Sequence, residues 1–184
     1  MQDSIDILKE RYLVNIKENP DLYIGIELEF PIVNLQGGAT DTRVTKELLS
    51  RLNSNYGFIV ERRDLDGNPI QLKAPDSEDR ILFEVSYNIL EFAFEKAKTI
   101  QEVERRFNHY LDTIQKILHK DHHELQGQGL HPFWKENDNA PVKYPRYQML
   151  MQYLALSEEI GGDFFHRYPD YGGYICGSQV QLDV

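Results

Sequence analysis

The sequence predicts an α+β fold, in which an antiparallel sheet has helices packed on one face. Short segments that alternate apolar and polar residues are separated by turn sequences, as in antiparallel strands. Two longer segments, at 42–54 and 99–119, have the apolar periodicity of amphipathic helices. The chain of 184 residues is 41% hydrophobic, so residues 1–184 are expected to form a single domain with a substantial core.

The first third of the chain is expected to hold two helices and the opening strand. Apolar residues at helical spacing predict a helix at 3–18, which Asn19-Pro20 ends. Residues 23–30, "YIGIELEF", have the pattern of a strand with one apolar face. A second helix is predicted at about 42–54, where Asp41 is a suitable N-cap.

The middle of the chain is rich in strand residues. Segments 58–64 and 69–74 flank Asp66-Gly67-Asn68 and predict a hairpin. The apolar stretch 80–95 is expected to form one or two further strands.

The last half of the chain begins with a long amphipathic helix at about 99–119. Thr99 and Glu102 form its predicted capping box. Its expected core stripe is Ile100, Val103, Phe107, Leu111, Ile114 and Leu118. After it the sequence predicts a strand from 122, a helix at 146–161 in which Met149 and Met151 fill the core, an aromatic loop at 164–174 and a strand at 175–184.

Composition excludes several classes of function. A net charge of -10 disfavours nucleic acid or an anionic membrane as the main partner, because both would repel the chain. The single cysteine, Cys176, excludes an internal disulfide framework and fits a reducing compartment. No long apolar run or charged-then-apolar leader is present, so a cytoplasmic protein is expected.

Two glutamates in the opening strand are the first candidate site residues. Glu27 and Glu29 are two positions apart, so they lie on one face of the strand, opposite Ile26 and Leu28. They could simply be the solvated side of a half-buried strand. They could instead bind a divalent cation, because Mg²⁺ and Ca²⁺ take oxygen ligands.

Further polar residues occur in strands that are otherwise apolar. Glu84 and Glu91 are seven positions apart, so they can share a site only if the chain turns or bulges between them. Gln179 and Gln181 lie on one face of the last predicted strand. A sheet face that carried all six side chains would be unstable without a counter-charge, and divalent metal with a polyphosphate would supply it.

Five segments in order give the chain a resemblance to a known family. The sequence resembles the amino-terminal portion of the glutamate–cysteine ligase family, in particular its plant-like and carboxylate–amine ligase branches. The resemblance extends from about Tyr23 to Val184. It implies a glutamine synthetase-like fold, of which this chain would form half. The segments are "IGIELEF", "EVSYNILEF", "GLHP", "PRYQMLMQY" and "CGSQVQLDV".

The resemblance implies roles for individual residues. The metal ligands of the family fall on Glu27, Glu29, Glu84 and Glu91, with Mg²⁺ (or Mn²⁺) and ATP as cofactors. Gln179 and Gln181 fall on its cofactor-binding pair, where a second Gln departs from the usual His or Asn. Arg146 falls on the "R-Y-x-x-M" signature, with catalytic anion binding or a structural salt bridge as its two readings.

The resemblance also implies a reaction. The γ-carboxylate of glutamate would attack the γ-phosphate of ATP, and the amine of cysteine or another small molecule would displace phosphate from the acyl phosphate. Cys176 is not needed as a nucleophile, and none of the six histidines is expected to bind the metal.

Members of the family are longer than this chain, and the last predicted strand runs to Val184. We therefore expect an amino-terminal portion whose ATP site is completed by a missing carboxy-terminal half or a partner subunit. Two alternatives remain open: a non-catalytic metal-binding or assembly module that keeps the half-fold, and a carboxylate–amine ligase with a different amine acceptor.

Overall fold

The computed structural model describes residues 3–159, 168 and 170–183, and in this part the fold is α+β, as the sequence predicts. All seven described strands belong to one antiparallel sheet with the order β2-β3-β4-β5-β1-β6, and β7 also pairs with β1. The helices are α1 Ser4–Tyr12, α2 Thr42–Tyr56, α3 Ile100–Leu118 and α4 Pro145–Glu159, and the strands are β1 Ile24–Asn34, β2 Ile59–Arg63, β3 Pro69–Lys73, β4 Arg80–Phe83, β5 Ile89–Ala93, β6 His123–Leu125 and β7 Ser178–Leu182.

Strand β1 is the longest strand and is paired on both sides. On one side, residues 27–31 of β1 pair with β5. On the other side, residues 24–28 pair with β7 and residues 32–34 pair with β6. Since β1 is hydrogen-bonded along both sides, the positions of its side chains are fixed by three separate strands.

One face of the sheet is apolar and carries helices α2 and α3. In β1 this face consists of Ile26, Leu28 and Phe30, and Phe30 stacks on Phe107 of α3 with 5.3 Å between ring centroids. Leu48, Leu49 and Leu52 of α2 are fully buried in the same core. Burial of this apolar surface is the main force that holds helices and sheet together.

Local sequence signals place several helix ends correctly. Asp41 caps α2 by accepting a hydrogen bond from the Arg43 N–H, and Gly57 ends this helix in a left-handed conformation. Thr99 caps α3 by accepting from the Glu102 N–H, while the Glu102 carboxylate accepts from the Lys98 N–H. The predicted hairpin of β2 and β3 and the division of 80–95 into two strands are also found.

The structure differs from the sequence prediction in the burial of apolar side chains on three helices. Helix α1 ends at Tyr12 and buries none of its residues, so the apolar stripe of the predicted first helix is mostly exposed within the described part of the chain. Ile100 is 65% exposed because it lies on the first turn of α3, whereas Ile117, which the stripe omitted, is buried. Met149 is exposed and does not fill the core.

Two further differences concern the second half of the chain. Strand β6 is only three residues long, and its ladder with β1 ends at Leu125. Of the predicted aromatic loop, residues 164–167 and 169 lie outside the described residues. Within the described ranges, no helix is long and apolar enough to cross a membrane.

A buried ion pair connects α3 to the residue that precedes β4. Asp79 is 1% exposed, and its carboxylate accepts hydrogen bonds from Arg106 at 2.7 Å, from the Tyr110 hydroxyl at 2.8 Å and from the Glu95 N–H at 2.8 Å. Its two oxygens therefore accept from two donors on α3 and from one donor just after β5. Removing this carboxylate would leave the Arg106 charge half-buried without its main partner.

We expect Asp79→Ala to lower the free energy of unfolding by about 3–5 kcal/mol, the usual cost of breaking a buried pair. Urea unfolding followed by circular dichroism measures this change. Asp76→Ala is the matched control, because Asp76 lies in the same turn and is exposed. Equal stability of the two variants would contradict the structural role of Asp79.

Candidate functional site

The second face of the sheet carries the acidic residues that the sequence singled out. Glu27 and Glu29 lie on the face of β1 opposite Ile26 and Leu28. Glu29 is paired directly with Glu91 of β5, and Glu27 lies between Ala93 of β5 and Gln179 of β7. The strand pairing therefore collects carboxylates from two strands on one surface, which we call the polar face.

Glu84 reaches the polar face because the chain turns between β4 and β5. It follows β4 directly, and its N–H donates to the Ile89 carbonyl at 3.1 Å. Four residues, 85–88, then form the turn. Sequence analysis required a turn or bulge in this segment for Glu84 and Glu91 to share a site, and the structure has one.

The turn contains a strained residue, Val85, whose φ is +56°. A β-branched residue rarely takes this left-handed conformation, so surrounding contacts must hold it. The Val85 carbonyl accepts from the Val142 N–H at 2.6 Å, and the Ser86 hydroxyl donates to the Gly173 carbonyl at 2.6 Å. Segments distant in sequence thus fix the turn that presents Glu84.

Glu84 and Glu91 lie in hydrogen-bonding contact with each other. Glu91 is 8% exposed. Its burial, together with the hydrogen bond to Glu84 and the negative charges of Glu84, Glu27 and Glu29, raises the pKa of Glu91 to about 9. At neutral pH one proton is therefore held between these two carboxyl groups, and the polar face carries one negative charge fewer than its sequence suggests.

Glu29 accepts hydrogen bonds from β7 and from the residue that precedes it. Its Oε2 accepts a hydrogen bond from the Gly177 N–H at 2.6 Å. Partial burial raises the pKa of Glu29, while the bonds from Gly177 and the Gln179 amide oppose that shift by stabilising the carboxylate. Gln179 therefore contacts a predicted metal ligand rather than standing apart from it.

Gln181 is placed differently from Gln179. It pairs with Gly25 of β1, and a Cβ at Gly25 would lie 2.9 Å from the Gln181 Oε1. The absence of a side chain at Gly25 thus lets the Gln181 amide lie across the neighbouring strand.

Helix α4 approaches the cluster through Tyr147 rather than Arg146. The Tyr147 hydroxyl is 3.2 Å from both the Glu84 Oε2 and the Phe83 carbonyl, and Tyr147 is 8% exposed. Burial and the charges of Glu84 and Glu91 raise its pKa, so the phenol stays protonated and donates. Arg146 is exposed and makes no ion pair within the described residues. Sequence analysis named Arg146 and missed Tyr147, although both belong to "R-Y-x-x-M".

The chemistry of the polar face suits a hard cation. Carboxylate and amide oxygens are the ligands that Mg²⁺ prefers, and one or two carboxylates with substrate phosphates are its usual set. Among the described residues, however, no three His, Cys, Asp or Glu side chains are arranged to hold a metal ion. The donor types fit Mg²⁺, and the present spacing matches a partial rather than a complete shell of protein ligands.

Two of the described histidines, His131 and His123, make buried hydrogen bonds. His131 is fully buried, with its Nε2 3.0 Å from the Thr40 hydroxyl and the Ile32 carbonyl. His123 is buried and accepts from the Asp41 N–H, whereas His122 is exposed. His166 lies outside the described residues.

Cys176 lies close enough to Glu29 to feel its charge. Burial and this charge raise the pKa of the Cys176 thiol to about 12. The thiol is protonated at neutral pH and is not a nucleophile in this state.

The raised pKa of Glu91 predicts a pH-dependent stability. Its ordinary value is 4.5 and its folded value is about 9, so between these pH values the folded state binds the extra proton and stability falls as pH rises. We expect Glu91→Gln to raise the melting temperature at pH 8 by roughly 2–4 °C and to change it little at pH 4.5.

Thermal unfolding followed by circular dichroism at both pH values measures this difference. Glu104→Gln is the control, because Glu104 is exposed on α3. If Glu91→Gln destabilised the protein at pH 8, the shared proton would be disproved.

Comparison with known proteins assigns the chain to a family. The family model described as glutamate-cysteine ligase family 2 matches residues 23–183, which include all the strands of the sheet and every predicted site residue. Comparison with curated proteins gives no match. Since the family model covers most of the chain, the protein belongs to glutamate-cysteine ligase family 2.

Proposed function

We propose that the polar face binds Mg²⁺ (or Mn²⁺) together with ATP, and that the chain acts in ATP-dependent formation of a γ-glutamyl amide from glutamate and cysteine. Membership of the family supports a ligase of this type. The observation that carries the proposal is the contact between Glu84 and Glu91 on the face that also carries Glu27 and Glu29. Carboxyl groups brought together on one face oppose one another's ionisation, and a bound cation would remove that cost.

Each carboxylate has a distinct place in this proposal. A bound Mg²⁺ would neutralise the phosphate charge that otherwise repels an acidic protein. Glu27 and Glu29 would face it from β1, with Gln179 orienting Glu29 through its amide. Glu84 and Glu91 would release their shared proton on binding, and the Tyr147 hydroxyl would hold Glu84 in place.

The reaction would pass through an acyl phosphate. The γ-carboxylate of glutamate forms a bond to the γ-phosphorus of ATP, and ADP leaves. The amine then forms a bond to the activated carbonyl carbon, phosphate leaves with the electrons of the broken C–O bond, and the amine loses one proton. No covalent enzyme intermediate is required, which agrees with the protonated state of Cys176. With cysteine as the amine, this would be a step of glutathione biosynthesis.

A cavity beside the turn is a candidate entrance for the amine. It has a volume of about 550 Å³ and is bounded by Trp134, Asp138, Asp170 and Met151 of α4. Met151 and Tyr147 lie four residues apart on α4, and hence on one side of the helix about one turn apart. The cavity therefore lies about one helical turn along α4 from Tyr147, which contacts Glu84, and an acceptor other than cysteine remains an alternative.

The second candidate function is a non-catalytic metal-binding or assembly module. Two observations favour it: no three His, Cys, Asp or Glu side chains among the described residues are arranged to hold a metal ion, and a proton satisfies the pair of Glu84 and Glu91 without a cation. That a further segment or subunit completes the site stays a prediction.

We expect calorimetric titration of Mg²⁺-ATP into the protein at pH 8 to show binding. Glu29→Gln should weaken this binding at least about tenfold, because one direct carboxylate contact contributes on the order of 1.4 kcal/mol or more. Binding should release a proton from the pair of Glu84 and Glu91, so the measured heat should depend on the ionisation enthalpy of the buffer.

Glu47→Gln is the matched control for this titration, because Glu47 lies on α2 and is paired with Arg51. Binding that is unchanged in Glu29→Gln would refute a site on the polar face. Mg²⁺ binding without any effect of ATP would favour the second candidate function.

A further inference from the structure

One arginine on the polar face has no acidic partner. Arg62 of β2 makes no ion pair in the part of the chain that the structure describes, and its guanidinium lies 5.7 Å from the centre of the Tyr144 ring. The other cations of the neighbouring strands are paired. Arg80 binds Glu61 at 2.8 Å, and Lys73 binds Glu78.

Strand pairing places Arg62 in line with the carboxylates. Arg62 lies opposite Gln71 of β3, which is opposite Leu82 of β4. Leu82 in turn lies opposite Glu91. Residues directly opposite each other share a face, so one row across the sheet runs from Glu29 and Glu91 to Arg62.

A bulge in β2 is the local reason for this position. The register of β2 against β3 shifts on both sides of Arg62, between Val60 and Arg62 and again between Arg62 and Arg63. A bulge re-aims side chains, and bulges are frequent beside functional sites. Here it lets Glu61 pair with Gln71 and Arg80 while Arg62 faces Tyr144.

Side-chain contacts also connect Arg62 to the carboxylate cluster. Tyr144 packs edge-on against Tyr147, with 6.1 Å between ring centroids. Tyr147 in turn contacts Glu84 through its hydroxyl. The two tyrosines therefore hold a free cation and an acidic cluster at a fixed separation.

That separation suits a small acid with two carboxylates. Three strand spacings place the backbones of Glu91 and Arg62 about 14 Å apart. A long arginine side chain extended toward Glu91 would span much of this distance, and the remainder matches the length of a molecule a few bonds long. One carboxylate would lie over the acidic cluster, where a phosphate could meet it, and the other would meet the guanidinium.

We propose that Arg62 determines specificity for the acid substrate by binding the carboxylate that is not activated. The proposal rests on the proposed function, since it assigns a substrate contact within the same site. A guanidinium matches a carboxylate with two parallel hydrogen bonds, and stacking on Tyr144 pre-orients it. The site would thus select a dicarboxylic amino acid over an acid with one carboxylate.

Calorimetric titration tests this assignment with two probes, L-glutamate and 4-aminobutanoate, which lacks the second carboxylate. Each is added in the presence of Mg²⁺ and a non-hydrolysable ATP analogue. We expect Arg62→Ala to weaken glutamate binding by about 10- to 100-fold, the range for a hydrogen-bonded charge, and to leave 4-aminobutanoate unchanged. Arg62→Lys should restore only part of the affinity.

Arg63→Ala is the matched control, because the neighbouring Arg63 binds the Gly67 carbonyl within its own hairpin. Glutamate affinity equal in Arg62→Ala and the unaltered protein would overturn the assignment while leaving the proposed function intact. A selective loss of affinity for the ATP analogue would also overturn it, because Arg62 would then bind phosphate. No binding of either acid to the unaltered protein would refute the proposed function as well.

Discussion

The contact between Glu84 and Glu91 is the interaction around which the polar face is organised. Glu84, at the turn between β4 and β5, and Glu91 of β5 share a proton beside two further glutamates, and Glu91 is almost fully buried. Such an arrangement is costly in isolation, since each charge opposes the next. It persists because the backbone that carries it is fixed from elsewhere, by β1 on one side and by the Val85 turn on the other.

Burial of the apolar face stabilises the fold and offsets the unfavourable electrostatic free energy of the polar face. Helices α2 and α3 bury a continuous set of leucines and aromatic side chains against the sheet. The ion pair of Asp79 and Arg106 connects α3 to the start of β4. Because successive residues of a strand alternate between the faces, packing of Ile26, Leu28 and Phe30 dictates where Glu27 and Glu29 point. A shift of one residue in register would exchange the two sets, so the core specifies the site.

Charge on the polar face is divided between two ends. The acidic end comprises β1, β5 and the turn before β5, while Arg62 stands free three strands from Glu91. A chain of net charge -10 can therefore still offer a local cation to an anionic ligand. Family membership and this distribution of charge are together the basis of the proposed ligase function.

The sequence by itself determined the features that depend on local periodicity. Alternation in β1 placed Glu27 and Glu29 on one face, and Asp41, Thr99 and the Asp66-Gly67-Asn68 turn fixed element ends, because caps and turns involve only near neighbours. Tertiary structure decided the rest. Glu84 joins Glu91 through a strained turn held by Val142 and Gly173, the bulge at Arg62 directs it to Tyr144, and α1 leaves its apolar stripe unburied. These outcomes depend on hydrogen bonds and packing between residues far apart in the chain, and no local pattern encodes such contacts.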